Sequence, residues 1–284
     1  MRIGKIILGF SFLAACLPAA TGSETTASDG QEFNKVVTLT GDRRIALECR
    51  GRGAFTVLLE TGDGGRRAHM APLFNALSKR YRVCDYDRRN VGQSSAAPAP
   101  RRADDLTADA FDALAAGGGH GPFILFGTSM GGLLVRSYAA THQIAGFVTS
   151  NQPGTMREWA IGAYPVMSPP EREADDEWAA GKNNEHIDVN DVSRTIDTAR
   201  PPSIPYVIMV STERFQCPAT GACGALYKAF VAGSRQAASA GSKGRFELLD
   251  GNHDLYVTNL KQVVKAIDDV AKEWLFVSSR APKL

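Results

Sequence analysis

A mostly parallel, doubly wound α/β sheet of eight strands, interrupted by a small lid insertion, is the fold class this sequence predicts. Three observations carry it. Short apolar runs alternate with helical patterns along most of the 284 residues, which argues for parallel strands joined by crossover helices. The first two runs are joined instead by a tight polar turn, so the sheet starts antiparallel. The alternation then breaks once, over residues 152–204.

Taken in order, KVVTLT (35–40) and RRIALEC (43–49) flank Gly41-Asp42 and read as a β-hairpin. FTVLLE (55–60) is continuously apolar, as expected of a strand covered on both faces. A helix near 68–80, a strand RVCDYD (82–87) and a helix near 105–116 follow. FILFG (123–127), a helix over 130–142 and GFVTSN (146–151) continue the series. YVIMVS (206–211) and RFELLD (245–250) are the last strands, each followed by a helix. Within the insertion, Ser168, two prolines and Glu171 make a capping-box start for one helix. Its acidic run reads as a solvated face, and the insertion as a lid over the carboxyl ends of the strands.

The N-terminus reads as an export signal. Arg2 and Lys5 precede an apolar stretch of about ten residues, half of what a spanning helix needs. Leu13-Ala14-Ala15-Cys16 matches a bacterial lipobox, which predicts removal of residues 1–15, lipidation of Cys16 and attachment to a membrane. Ordinary cleavage to a periplasmic or secreted form is the alternative. Residues 16–33 form a polar tether, and 34–284 the folded domain. Loss of Arg2 and Lys5 leaves 30 basic against 30 acidic residues, with no basic run, which argues against nucleic acid as a partner. Four cysteines besides Cys16 suggest disulfides in an oxidising compartment, and Cys217 and Cys223 are close enough to close a small ring. No Cys/His spacing looks like a metal site, and no cofactor is expected.

Gly127-Thr128-Ser129-Met130-Gly131 is a G-x-S-x-G motif set between a strand and a helix. That context turns a weak pattern into a nucleophile elbow, a sharp turn whose flanking positions must be glycine. The bland alternative is an ordinary turn with Ser129 as N-cap. A serine hydroxyl needs a base. Of His69, His120, His142, His186 and His253, only His253 follows the last strand at the carboxyl edge of the sheet. The acid is expected after the penultimate strand, which selects Glu213; Asp188, Asp250 and Asp254 are fallbacks. Asn151, after the strand that follows the elbow helix, cannot carry the charge that stabilises imidazolium. The oxyanion needs two N–H donors, assigned to Met130 and to Asp63 in the loop Glu60-Thr61-Gly62-Asp63-Gly64-Gly65.

These residues resemble the α/β-hydrolase superfamily over nearly the whole chain after residue 34. Asp87-Arg88-Arg89-Asn90-Val91-Gly92-Gln93-Ser94 is similar to the family's D-R-x-G-x-G-x-S turn, with Asn90, tolerant of positive φ, in place of glycine. Leu47 to Gly65 resembles a branch in which E-x-G-x-G replaces the commoner H-G loop, often exported bacterial hydrolases. The resemblance implies a sheet order that brings Cys49 near Cys84, and hence a disulfide between them. Related dehalogenases and epoxide hydrolases carry aspartate as nucleophile, whereas Ser129 implies acyl transfer. A small carboxylic ester is the expected substrate. The alternatives are a peptidase or amidase of the same fold, and a non-catalytic binding lipoprotein.

Overall fold

The computed structural model describes residues 31–213 and 221–280. The expected signal segment, Cys16, most of the tether and Cys217 lie outside the described residues.

Strands β1 (Phe33–Leu39) and β2 (Arg43–Arg50) pair antiparallel, with Leu39 opposite Arg43. Gly41 and Asp42 turn the chain at φ of 75° and 58°, a region glycine and aspartate tolerate better than most residues. Then come β3 (Thr56–Glu60), β4 (Arg82–Tyr86), β5 (Phe123–Thr128), β6 (Gly146–Ser150), β7 (Tyr206–Ser211) and β8 (Gly244–Leu249). They build one eight-stranded sheet in the order β1-β2-β4-β3-β5-β6-β7-β8, parallel from β4 to β8. Strands β3 to β7 are buried nearly throughout, which explains their lack of polar alternation.

Successive side chains point to opposite faces, so each strand feeds two cores. Leu58 and Leu125 join the apolar cluster shared by helices α2 (Ala103–Ala116) and α3 (Met130–Thr141). Val57, Leu59, Ile124 and Phe126 join the one under α1 (Ala71–Leu77) and the last long helix, Leu260–Ser278. The helix expected near 68–80 is instead a 3₁₀ turn, Arg67–Met70, followed by α1. Pro72, which has no N–H to donate, sits in the first turn of α1, where none is needed. Helix α2 starts earlier than expected: Asp105 accepts the Arg102 N–H, and Asp191, 88 positions along the chain, accepts a hydrogen bond from the Ala103 N–H.

The insertion contains α4 (Met156–Gly162), a 3₁₀ turn (Tyr164–Val166), α5 (Pro169–Ala179) and α6 (Val189–Thr198). Glu171 accepts from the Ser168 N–H at 2.7 Å, as a capping box requires, and the acidic face of α5 is exposed. From Asn183 to Ser193, however, the segment packs into the core. Ile187, Val189 and Val192 are fully buried in the cluster that contains Leu133 and Leu134 of α3. Arg101 and the turn at His186 to Asp188 exchange backbone hydrogen bonds at 2.7 and 2.8 Å.

Cys49 and Cys84 lie opposite each other on β2 and β4 and form a disulfide. It closes a loop with a sequence separation of 35, which in the chain-entropy picture contributes about 4 kcal/mol. Cys223 is disulfide-bonded as well. Its expected partner, Cys217, lies outside the described residues. Helix α7 (Gly221–Ser239) and a short helix α8 (Leu255–Thr258) precede the last helix, α9.

Candidate active site

The turn between β5 and α3 places Ser129 at φ 51°, ψ −129°, a region that L-residues rarely occupy. Packing forces this turn. A Cβ at Gly127 would lie 2.3 Å from the Gly131 carbonyl oxygen, and one at Gly131 2.3 Å from that of Thr61. Only glycine fits either position, so the G-x-S-x-G spacing follows from the contacts on both sides of the serine. Although Ser129 is the N-cap residue of α3, its side chain makes no cap hydrogen bond. The bland alternative to a nucleophile loses its main support there. Met130 is buried at the first position of α3, where a backbone N–H has no intrahelical acceptor.

Two hydrogen-bonded links join Ser129 to His253. The Ser129 N–H donates to the Ser150 carbonyl at 2.9 Å, at the end of the neighbouring strand. The next residue, Asn151, donates from Nδ2 to the His253 carbonyl at 2.8 Å. Asn151 Oδ1 also accepts the Ser211 N–H at 2.9 Å, at the end of β7. One side chain therefore ties the ends of β6 and β7 to the loop after β8 and brings the elbow and the histidine to one edge of the sheet. Burial of the half-buried His253 lowers its pKa below the ordinary imidazole value, with the Asp254 carboxylate opposing the shift.

The acid candidates fall in different places. Glu213 lies on the strip that runs beside the histidine loop: Thr212 N–H donates to Leu249 and Glu213 N–H to Gly251, at 2.8 and 3.0 Å. Its side chain is exposed. Asp250 is also exposed and accepts the Thr212 hydroxyl at 2.8 Å. Asp254 follows His253 directly and acts on its charge. Asp188 caps α6 by accepting the Asp191 N–H at 3.0 Å, a structural duty that occupies its carboxylate.

The glycine-rich loop after β3 meets the elbow from the other side. A Cβ on Gly62 would stand 3.2 Å from Ser129 Cβ and 3.6 Å from its Oγ, so a side chain there would crowd the serine. Asp63 is partly buried, with its carboxylate accepting from Asn184 Nδ2 at 3.2 Å. Burial, reinforced by Glu185, holds that carboxyl above the usual range.

Sequence reasoning missed four contributors. Asn151 was considered only as a missing acid, whereas it positions the histidine loop. Arg88 and Glu60 stood inside quoted motifs without a role; both are fully buried and paired at 2.8 Å. Glu185, in the insertion, carried no sequence signal at all. Asn90, by contrast, has the positive φ (73°) expected of a glycine substitute.

Residues 56–182 match the family described as alpha/beta hydrolase fold. Together with the eight-stranded sheet, this match shows an α/β-hydrolase fold. Its fold is similar to an enol-lactonase from Burkholderia xenovorans, at 21% identity and TM-score 0.57, covering 84% of this chain and 100% of that one. It is also similar to a thermophilic esterase from Thermogutta terrifontis, at 16% identity and TM-score 0.58, over 86% and 99% of the two chains. A bromoperoxidase from Bacillus anthracis matches at 19% identity and TM-score 0.58, over 85% and 100%. At such identities the likeness concerns the fold, and the chemistry must be argued from the site.

Proposed function

We propose that the protein is a serine hydrolase that cleaves carboxylic esters through an acyl-enzyme on Ser129. The observation that carries this reading is an uncapped serine on a strained elbow, pressed against Gly62 and linked through Asn151 to the His253 loop. In the reaction His253 takes the Ser129 proton as Oγ attacks the ester carbonyl. The Met130 and Asp63 N–H groups hold the resulting oxyanion. His253 then returns the proton to the leaving alcohol, and a water activated by the same imidazole releases the acid. Glu213 is the proposed partner that orients His253. An ester is favoured over an amide because an alcohol needs less assistance to leave.

Turnover of a short p-nitrophenyl ester, with covalent labelling by a fluorophosphonate mapped to Ser129, tests the reading. Cleavage of aminoacyl amides in preference to esters would make the protein a peptidase. Neither turnover nor labelling would leave a binding protein.

The lowered pKa of His253 gives a second expectation. The neutral imidazole is the base, so kcat/KM should be lost only as pH falls through a value below the ordinary imidazole pKa of about 6.5. Activity should therefore persist into weakly acidic buffers. A limb centred well above that value would remove burial as the controlling factor.

The signal-like start and the Cys49–Cys84 disulfide support an exported protein anchored through lipidated Cys16. Incorporation of labelled palmitate by the full chain, lost in Cys16→Ser, is the expected result. Equal incorporation by both would exclude that anchor.

A further inference from the structure

A fully buried guanidinium lies directly beneath the glycine-rich loop, and its hydrogen bonds are spent on the loop itself. Arg88 follows β4 and is 1% exposed. Its Nη1 donates to Glu60 Oε2 at 2.8 Å and to the Thr61 carbonyl at 2.9 Å. Its Nη2 donates to the Gly62 carbonyl at 2.7 Å and to Glu185 Oε1, and its Nε to Glu185 Oε2 at 2.8 Å. These five bonds use the five N–H donors that a guanidinium has. Glu185 Oε1 in turn accepts the Gly64 N–H at 2.9 Å. The loop is thus gripped at three positions, Thr61, Gly62 and Gly64, by one ion-paired unit.

The consequence follows from peptide geometry. In a trans peptide the C=O and the following N–H point in opposite directions. Drawing the Thr61 and Gly62 carbonyls down onto Arg88 turns the Gly62 and Asp63 N–H groups to the far side of the loop. Gly62 is also the residue against which the Ser129 side chain lies. Burying two carboxylates and a guanidinium does little for stability by itself, since desolvation offsets most of the attraction. The planar fork supplies something else, a fixed direction for two peptide planes, which an ammonium could not impose.

We propose that Arg88, clamped between Glu60 and Glu185, is a positioning residue that orients the 61–65 loop as the second half of the oxyanion hole. The inference rests on Ser129 being the nucleophile. It gives the buried part of the insertion a part in catalysis, because Glu185 completes the clamp from a segment more than 90 residues further along the chain.

Arg88→Lys keeps the charge and loses the fork, so it separates orientation from charge. In protein whose active sites are counted by fluorophosphonate labelling of Ser129, kcat for a p-nitrophenyl ester should fall on the order of 10²- to 10³-fold, the loss typical of a missing oxyanion donor. KM should stay within about twofold. The inhibition constant of a trifluoromethyl ketone, whose serine adduct places an oxyanion in the hole, should rise by a similar factor to the fall in kcat. A merely structural role predicts a lower melting temperature with kcat per labelled site unchanged, and that result overturns the proposal. Glu185→Asp, with its shortened reach, carries the same readouts if the lysine variant does not fold. Failure of both to fold would also overturn it, by making the network a requirement of the fold. If wild-type protein is labelled elsewhere than Ser129, the nucleophile assignment falls and takes this proposal with it.

Discussion

Ser129→Ala is expected to lose on the order of 10⁶-fold in kcat for a p-nitrophenyl ester, with an unchanged melting curve. The size of the loss reflects the role proposed for Ser129 as the attacking group that forms the acyl-enzyme. The unchanged stability follows from the local geometry. Since the Ser129 side chain caps nothing, its removal leaves no helix-end donor newly unpaired. Alanine would sit in the same left-handed conformation at similar cost, so the strain is neither relieved nor increased. His253→Ala should lose a comparable amount, because nucleophile and base act as one unit. Its loop should stay in place, since Asn151 holds the His253 backbone carbonyl rather than the imidazole. Most of the activity surviving in either variant would remove that residue from the mechanism.

Glu213→Gln carries the next largest expected effect. If Glu213 orients His253 and stabilises the imidazolium, an amide keeps the shape and removes the charge. The loss in kcat should then reach roughly 10³- to 10⁴-fold. The backbone ladder at Thr212 and Glu213 keeps this residue beside the histidine loop whatever its side chain does. An exposed carboxylate with no catalytic role would give a nearly neutral change, so one kinetic comparison decides. Asp254→Asn belongs in the same experiment, because Asp254 is the carboxylate that opposes the lowered pKa of His253. Asp250→Asn and Asp188→Asn complete it. Asp188→Asn should be close to wild type, since asparagine caps a helix about as well as aspartate. A large loss in Asp254→Asn or Asp250→Asn, with Glu213→Gln near wild type, would move the acid without disturbing Ser129 or His253.

The sequence by itself determined whatever local physics determines. Continuous apolar runs became buried strands, the polar turn at Gly41-Asp42 became a hairpin, and Ser168 with Glu171 became a capping box. The elbow was legible for the same reason: a strand, two glycines around a serine and a helix are all contained in one short stretch. Elimination among five histidines selects His253 as the proposed base, since only one follows the last strand.

What only the tertiary structure decided depends on contacts between distant parts of the chain. Helix α2 has a local cap, in which Asp105 accepts the Arg102 N–H, but its second cap, from Asp191, is one that no local pattern could have revealed. The insertion divides into an exposed acidic helix and a buried strip from Asn183 to Ser193, because that strip packs on α3 and stitches to Arg101. Asn151 reads locally as a residue that lacks a charge. In space it joins the ends of two strands to the histidine loop, since parallel strands bring their carboxyl ends to one edge. Arg88, Glu60 and Glu185 lie on three separate segments, and their value to the loop after β3 exists only where those segments meet in the low-dielectric interior. Sequence periodicity reports which face of an element is buried. It carries no information on which buried charge will find which backbone carbonyl.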